Sequence, residues 1–429
     1  MERRTFLLGA GTALLSRTAF GANDRVNVAV VGVGSRGTDH INEYVKLPAA
    51  KVAALCDVNT AQTERGSARV EKATGDKPKV YQDLRKLYDD KDVDAVSIAT
   101  PNHWHALATV WGCQAGKDVY CEKPAAYNIF EGQQMVAAAR KYNRIVQIGM
   151  QGRSTPHKME AMKLLRDGAI GKIYYAKGIC YKRRKSIGHT PAEDVPPGMN
   201  WDIFLGPAPM RPYTHNRHVY NWHWFWDTGN GDIGNQGVHE MDIARWGLGR
   251  TLPTAAVSTG GKYIYEDDQE TPNTQLASFD YGDAELAFEV RGLPTPGEAL
   301  IKLGGGNYVG DYFMGDKGFM SVDQAGYQIL LGDKREPGPS KPADKEDGTG
   351  AHMQNFLDAV KSRRVEDLHA DVQVGVTSVE LVHLANISYR LNHSLKFDPA
   401  KDSFINDAEA NAMKTRPKYR EPYVFPKLA

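Results

Sequence analysis

Six residues, Gly32-Val33-Gly34-Ser35-Arg36-Gly37, constrain this chain more than any other stretch. They follow a β-branched run at 26–31 and precede a segment with helical patterning. Glycines at this spacing on a strand-to-helix turn let the backbone bend tightly and bring amide N–H groups up to a pyrophosphate. The helix N-terminus adds a favourable dipole. Asp57 closes the next strand-like run, 51–56, twenty residues past Gly37. A carboxylate there holds adenosine ribose hydroxyls and repels a 2′-phosphate. The expected cofactor is therefore NAD rather than NADP, on Gly32, Gly34, Ser35, Arg36, Gly37 and Asp57. Were it NADP, Arg36 and Asn59 would be the phosphate partners.

The surrounding pattern agrees. Between 26 and 145, strand-like runs (26–31, 51–56, 93–99, 118–121, 145–149) alternate with amphipathic stretches (60–73, 82–89, 104–115, 129–142). That alternation predicts a parallel sheet covered on both faces, an α/β Rossmann domain. After 149 the rhythm changes. A helix-like stretch at 156–167 leads to strand-like runs at 172–181, 254–261, 274–281, 284–291, 298–303, 318–323 and 327–331. Turn residues separate them, which predicts an α+β domain with a large, mostly antiparallel open sheet. Residues 183–230 read as irregular and aromatic-rich, and 332–350 as a surface loop. Helices are expected at 351–362 and 371–392. The domain boundaries expected are 23–148 for the nucleotide domain, 149–397 for a substrate and oligomerisation domain, and 398–429 for a tail lying over the surface. A homo-oligomer formed through the open sheet is expected.

Several classes are excluded. The formal net charge is +1 with no long Lys/Arg run, so a nucleic-acid partner lacks its electrostatic footprint. No stretch beyond the first 20 residues is long and apolar enough for a stable membrane anchor. Cys56, Cys113, Cys121 and Cys180 show no metal or redox spacing and read as buried thiols. Residues 1–22 have a basic start, a short apolar middle and a small-residue exit, the plan of a signal peptide. Arg3-Arg4-Thr5-Phe6-Leu7 resembles the twin-arginine signal, which implies export of an already folded protein to the periplasm or beyond. That route suits a protein carrying a tightly held nucleotide.

Two further motifs fall at strand ends. Thr100-Pro101-Asn102-His103-Trp104-His105 follows the run at 93–99, and Glu122-Lys123-Pro124 follows the run at 118–121. His103 and His105 lack further ligands at zinc spacing, so no metal is expected. With the glycine fingerprint and Gly168-x-Ile170-Gly171-Lys172-Ile173, these motifs resemble the Gfo/Idh/MocA family of oxidoreductases across nearly the whole chain after residue 22. The resemblance implies that Thr100, Pro101, Asn102, His105, Glu122 and Lys123 join the cofactor site, with Lys123 beside nicotinamide and substrate.

The family's second motif is a glycine-rich approach to Asp-x-x-x-His. Here Gly229-Asn230-Gly231-Asp232-Ile233-Gly234-Asn235-Gln236-Gly237-Val238-His239 places His239 on the family histidine and Asn235 on the family aspartate. Asn can orient a hydroxyl but cannot take its proton. Hydride removal from an alcohol needs such an acceptor, and His or a desolvated Lys can serve. The catalytic set expected is Lys123, His239 and Asn235.

The stretch 213–227 is rich in aromatic and polar side chains, which suits the apolar faces and hydroxyls of a sugar; alternation of Trp222, Trp224 and Trp226 also fits one face of a buried strand. Substrate residues expected are Arg153, Tyr181, Trp222, His223, Trp224, Asn235, Gln236 and His239. The function expected is NAD(P)-dependent hydride transfer at a secondary hydroxyl or keto group of a sugar, glycoside or cyclitol. Two alternatives stay open. One is a redox-assisted glycosidase, which oxidises carbon 3, eliminates, hydrates and reduces. The other is a sugar-binding protein that keeps its nucleotide without turnover.

Overall fold

The computed structural model describes residues 25–293, 307–343 and 345–428. The expected signal segment and the strand expected at 298–303 lie outside them.

Short β-branched runs with few exposed residues build a six-stranded parallel sheet. Its strands are β1 (Val26–Val31), β2 (Ala50–Cys56), β3 (Lys79–Tyr81), β4 (Ala95–Ile98), β5 (Asp118–Cys121) and β6 (Val146–Ile148). They lie in the order β3-β2-β1-β4-β5-β6. The strand order reverses between β1 and β4, and ligands of such sheets bind outside the strand ends at that point. Helices Ser35–Tyr44, Thr60–Thr74, Asn102–Gln114 and Ile129–Lys141 cross between strands. β3 is an addition to the sequence reading.

A second, ten-stranded sheet has the order β14-β13-β12-β11-β7-β10-β9-β8-β15-β16. Its central strand is β7 (Ile173–Tyr181), flanked by β10 (Glu285–Arg291) in parallel and β11 (Tyr308–Gly315) antiparallel. β8 (Ala255–Gly261) and β9 (Thr274–Asp280) continue one side. β12 (Gly318–Asp323), β13 (Gly326–Leu331) and β14 (Glu336–Pro342) continue the other. β14 replaces the loop expected there. β15 (Leu395–Asp398) and β16 (Ser403–Phe404) close the β8 edge. Helices Gly237–Leu248 and Val372–Leu391 cover one face. Strands β8 and β9 alternate buried and exposed residues, so the opposite face shows Val257 and Leu276 to solvent.

The two halves share their cores. Helix Thr349–Ser362 follows the second sheet in sequence, yet Met353, Phe356 and Leu357 pack with Val28, Val30 and Tyr120 of the first. Full burial of side chains this size is worth roughly 1.5–3 kcal/mol each, enough to fix the halves together. The chain after 404 also returns to the first half. Tyr419 donates to Glu131 (3.1 Å), and Arg416 lies 3.6 Å over the Tyr127 ring. Tyr423 donates to Asp202 (2.7 Å) and is buried. The tail is thus a clamp between elements, beyond the surface cover expected of it. The four cysteines are buried and free.

Candidate functional site

All the strand-end motifs open into one cleft of about 340 Å³ at the carboxyl ends of β1, β2, β4 and β5. The three glycines do different work. Gly32 has φ +81°, and a Cβ there would lie 2.8 Å from the Ala99 carbonyl. A Cβ on Gly37 would lie 1.8 Å from the Gly32 oxygen, so only glycine lets the helix start so close to the strand. A Cβ on Gly34 would meet nothing within 4 Å, because it would project into space beside the helix N-terminus at Ser35–Tyr44. No side chain caps that terminus. Open space before uncapped amides fits the pyrophosphate of a dinucleotide.

Asp57 sits in the same cleft and accepts from the amides of Val33 (2.7 Å) and Asn59 (2.9 Å). Burial lifts its carboxyl above the usual range, and the two amides pull the other way. It therefore braces the glycine loop as well as offering oxygens to a ribose. Of the alternative phosphate partners, Arg36 spends its Nε on Glu122 (2.8 Å), and Asn59 accepts from the amide of Ala61 with its Oδ1 (3.1 Å).

Glu122 is the buried node behind the cleft. Its Oε1 takes Arg36 Nε and lies 2.9 Å from His40 Nε2. Burial alone would raise this carboxyl, but Arg36 and His40 hold it well below the usual range. Lys123 follows, joined to Pro124 by a cis peptide. Its ammonium donates to the Asn235 carbonyl oxygen at 2.7 Å. Burial is the main force lowering its pKa.

Thr100, Pro101 and His105 line the cleft with Ser35. The His105 ring nitrogens face the carbonyls of Pro124 (2.7 Å) and Thr100 (2.8 Å), tying the two motifs together. Asn102 instead donates to Asn230 (3.0 Å), behind the wall. His103 faces the Phe204 carbonyl at 2.9 Å. Among the described residues no cluster of three or more His, Cys, Asp or Glu could hold a metal.

The substrate residues divide. Asn235, Trp222 and His223 join Lys123 in the cleft. Trp222 and His223 lie on a 3-10 turn, Asn221–Trp224, so the tryptophan alternation does not mark a strand. Trp224 is buried beside them with Arg184 over its ring at 5.4 Å. His239 and Gln236 line a second cavity of about 390 Å³, between residues 150–158 and 343–347. Burial and the Lys123 charge hold His239 well below the usual histidine range. Arg153 reaches neither cavity. Its guanidinium makes two 2.8 Å bonds to Asp242 and lies 4.6 Å over Trp246, fastening the turn Gln151–Ser154 to helix Gly237–Leu248. Tyr181 donates to Glu289 (3.0 Å) with Arg291 over its ring, outside both cavities.

The sequence reading missed a strap. Residues 196–206 of the irregular segment cross the nucleotide end of the first sheet. Asn200 N donates to Val58 O (2.8 Å) and Thr60 N to Gly198 O (3.1 Å). Trp104 Nε1 donates to Ile203 O (2.9 Å). Ile203 and Phe204 thereby wall the cleft. The cluster Trp201-Asp202-Ile203-Phe204-Leu205, apolar within a polar stretch, was the available signal.

The chain was compared with known proteins. Residues 26–150 match the model of an oxidoreductase family with an NAD-binding Rossmann fold. Residues 168–259 and 340–425 match that family's C-terminal alpha/beta domain. Inositol 2-dehydrogenase 2 of Saccharopolyspora erythraea is 28% identical over 279 residues, 62% of this chain and 70% of that protein. A glycosyl hydrolase family 109 protein of a Shewanella species is 28% identical over 158 residues, 36% of this chain and 34% of its own length. In three dimensions, levoglucosan dehydrogenase in complex with NADH aligns at a TM-score of 0.67 and 18% identity, over 87% of this chain and 99% of that one.

Proposed function

Because this chain belongs to the Gfo/Idh/MocA oxidoreductase family, we propose that it transfers hydride between NAD and a secondary hydroxyl or keto group of a sugar, glycoside or cyclitol. One observation carries the reading: a buried lysine with a lowered pKa shares a single cleft with a dinucleotide fingerprint and a ribose-type carboxylate. When bound, NAD supplies the hydride acceptor or donor. The fingerprint amides and Asp57 hold it. Lys123, whose pKa burial lowers, takes the substrate hydroxyl proton in oxidation and returns it in reduction. Asn235 orients the hydroxyl. His239, which opens into the second cavity but whose ring feels the Lys123 charge, is the second proton acceptor proposed.

The dehydrogenase relative supports the substrate class, and the strap over the cleft supports slow nucleotide release. The hydrolase relative favours the second reading, redox-neutral glycoside cleavage. One experiment tests both. Stripped protein is loaded with NAD and mixed with a panel of sugars, glycosides and keto-sugars. Reduced nicotinamide absorbance with a keto product supports the dehydrogenase. Aglycone release with no net reduction supports cleavage. Neither, on any substrate, overturns the proposal.

Cofactor preference gives a separate measurement. Asp57→Ser removes the carboxylate that would meet a 2′-phosphate, so the ratio of NADP to NAD affinity should rise about tenfold or more. Nucleotide titrations that show wild-type protein already preferring NADP would refute the assignment.

We further propose export through the twin-arginine route and oligomer formation through the open sheet face, which exposes Val257 and Leu276. The double substitution Arg3→Lys, Arg4→Lys should retain the precursor in the cytoplasm. Unchanged fractionation would argue for another location. No helix among the described residues is long and apolar enough to cross a membrane.

A further inference from the structure

Two consecutive residues at the mouth of the cleft occupy backbone conformations that side chains rarely adopt: Val219 at φ +25° and Tyr220 at φ +67°. Such positions persist where the surroundings over-determine them, and they gather at functional sites. Here the turn fixes Tyr220 at both ends. Its carbonyl receives His223 Nδ1. Its hydroxyl oxygen accepts from Arg184 Nη1 (2.8 Å) and Asn235 Nδ2 (3.1 Å). Arg184 is itself held by a two-point pair with Asp232 (2.9 and 2.7 Å).

These contacts settle where the hydrogens go. A carbonyl can only accept, so His223 Nδ1 carries the ring hydrogen and Nε2 keeps the lone pair. Burial holds His223 well below the usual histidine range, which keeps that lone pair free of a proton. A phenol oxygen already accepting two bonds has only its own hydrogen left to offer. Among the described residues, nothing accepts that hydrogen and nothing donates to His223 Nε2. Both side chains line the cleft that holds Lys123, and their ring centroids are 4.7 Å apart.

The cleft thus presents one donor beside one acceptor. An alcohol is the complement, since it accepts and donates at once. A keto or carboxylate oxygen would leave His223 without a partner, and an ammonium would leave Tyr220 without one. We propose that Tyr220 and His223 form a hydroxyl-reading pair that selects the substrate by one hydroxyl other than the one oxidised. The inference rests on the cleft being that of a carbohydrate oxidoreductase. A ribose hydroxyl of the cofactor has the same chemistry. The substrate is favoured because Tyr220 is 45% exposed at the cleft mouth and shares Asn235 with Lys123.

The test is calorimetry on NADH-loaded protein with a panel of sugars and cyclitols, then with each monodeoxy form of the tightest binder. One deoxy position should weaken binding to wild type by roughly 10- to 100-fold. Tyr220→Phe and His223→Phe should each weaken the parent sugar similarly and bind the sensitive deoxy form no worse than wild type does. NADH affinity, measured in parallel, should stay unchanged. Weakened NADH binding with sugar discrimination intact would assign the pair to the ribose and overturn the proposal. Equal binding of every deoxy form, or no binding by any sugar, would also overturn it. The deoxy series on wild type needs no variant to fold. Selective binding without hydride transfer from any bound sugar to NAD, measured on NAD-loaded protein, would sink the oxidoreductase reading and leave the pair standing.

Discussion

Lys123→Met is expected to lower kcat/KM for the true substrate by about 10²–10⁴ while NAD still binds. The side chain lies in the cleft beside Asn235 and can move a proton in both directions. Burial draws its pKa down, so its neutral form is reachable nearer physiological pH than for an ordinary lysine. Its ammonium is held by the Asn235 carbonyl at 2.7 Å, which aims it without neutralising it. The binding glycines and Asp57 lie elsewhere in the cleft, so nucleotide affinity should change little. The sign of the pH effect follows. Oxidation needs the neutral amine, so wild-type oxidation should fall as pH drops through the lysine's folded-state pKa. That limb should vanish in the variant.

Stability should move the opposite way. A lysine whose pKa is depressed in the fold is protonated more readily by the unfolded chain, which opposes folding below the unfolded lysine pKa. Removing it should raise stability at neutral pH, measured as a denaturant midpoint. Near-normal turnover by Lys123→Met would move the proton chemistry elsewhere. His239→Ala then decides whether the second proposed acceptor carries it.

How far the sequence disclosed this arrangement depends on the range of the interactions. The glycine turn, Asp57 and the Glu122-Lys123-Pro124 strand end show as short motifs, although the partners that fix them, Ala99 for Gly32, Val33 for Asp57, and Arg36 and His40 for Glu122, lie 24 to 86 residues away. Their place at strand ends around one cleft could be read in one dimension. β14 could not. Its Glu336-Pro337-Gly338-Pro339-Ser340-Lys341-Pro342 looks like a loop because proline cannot donate to a ladder, and such a strand survives only at a sheet edge. β3 was missed for its length, three residues with little buried surface. The strap and the Tyr220 turn are set by partners far away in sequence. Tyr220 meets Asn235 and Arg184, Asn200 meets Val58, and Trp104 meets Ile203. No periodicity marks such contacts. Arg153 shows the same limit differently. It stands at the domain junction, but Asp242, 89 residues on, claims its guanidinium.

Glu122→Gln should be the most destabilising single change at the site that keeps its shape. The carboxylate is nearly inaccessible, with side-chain exposure of 4%. It ties Arg36 and His40, both on the fingerprint helix, to the strand end that carries Lys123. An amide can still accept from Arg36 but cannot balance its charge. Removing one partner of a buried pair costs about 3–5 kcal/mol, mostly from the charge left behind. Arg36 is 29% exposed and can turn partly toward water, which favours the lower end of that range. The pH dependence has a definite sign. The Glu122 pKa is depressed in the fold, so its contribution is present above the unfolded carboxylate pKa of about 4.3 and is lost as pH falls through the folded value. Wild-type stability should therefore drop on acidification, and the variant's should drop less. Function should follow structure here, because loosening Arg36 and His40 frees the helix whose N-terminus is proposed to receive the pyrophosphate. NAD affinity should fall with stability in Glu122→Gln, whereas in Lys123→Met it should not. Denaturation curves at neutral and acid pH, paired with nucleotide titrations, measure both. A Glu122→Gln protein as stable as wild type at neutral pH would show that the node is not what couples the fingerprint helix to the catalytic strand end.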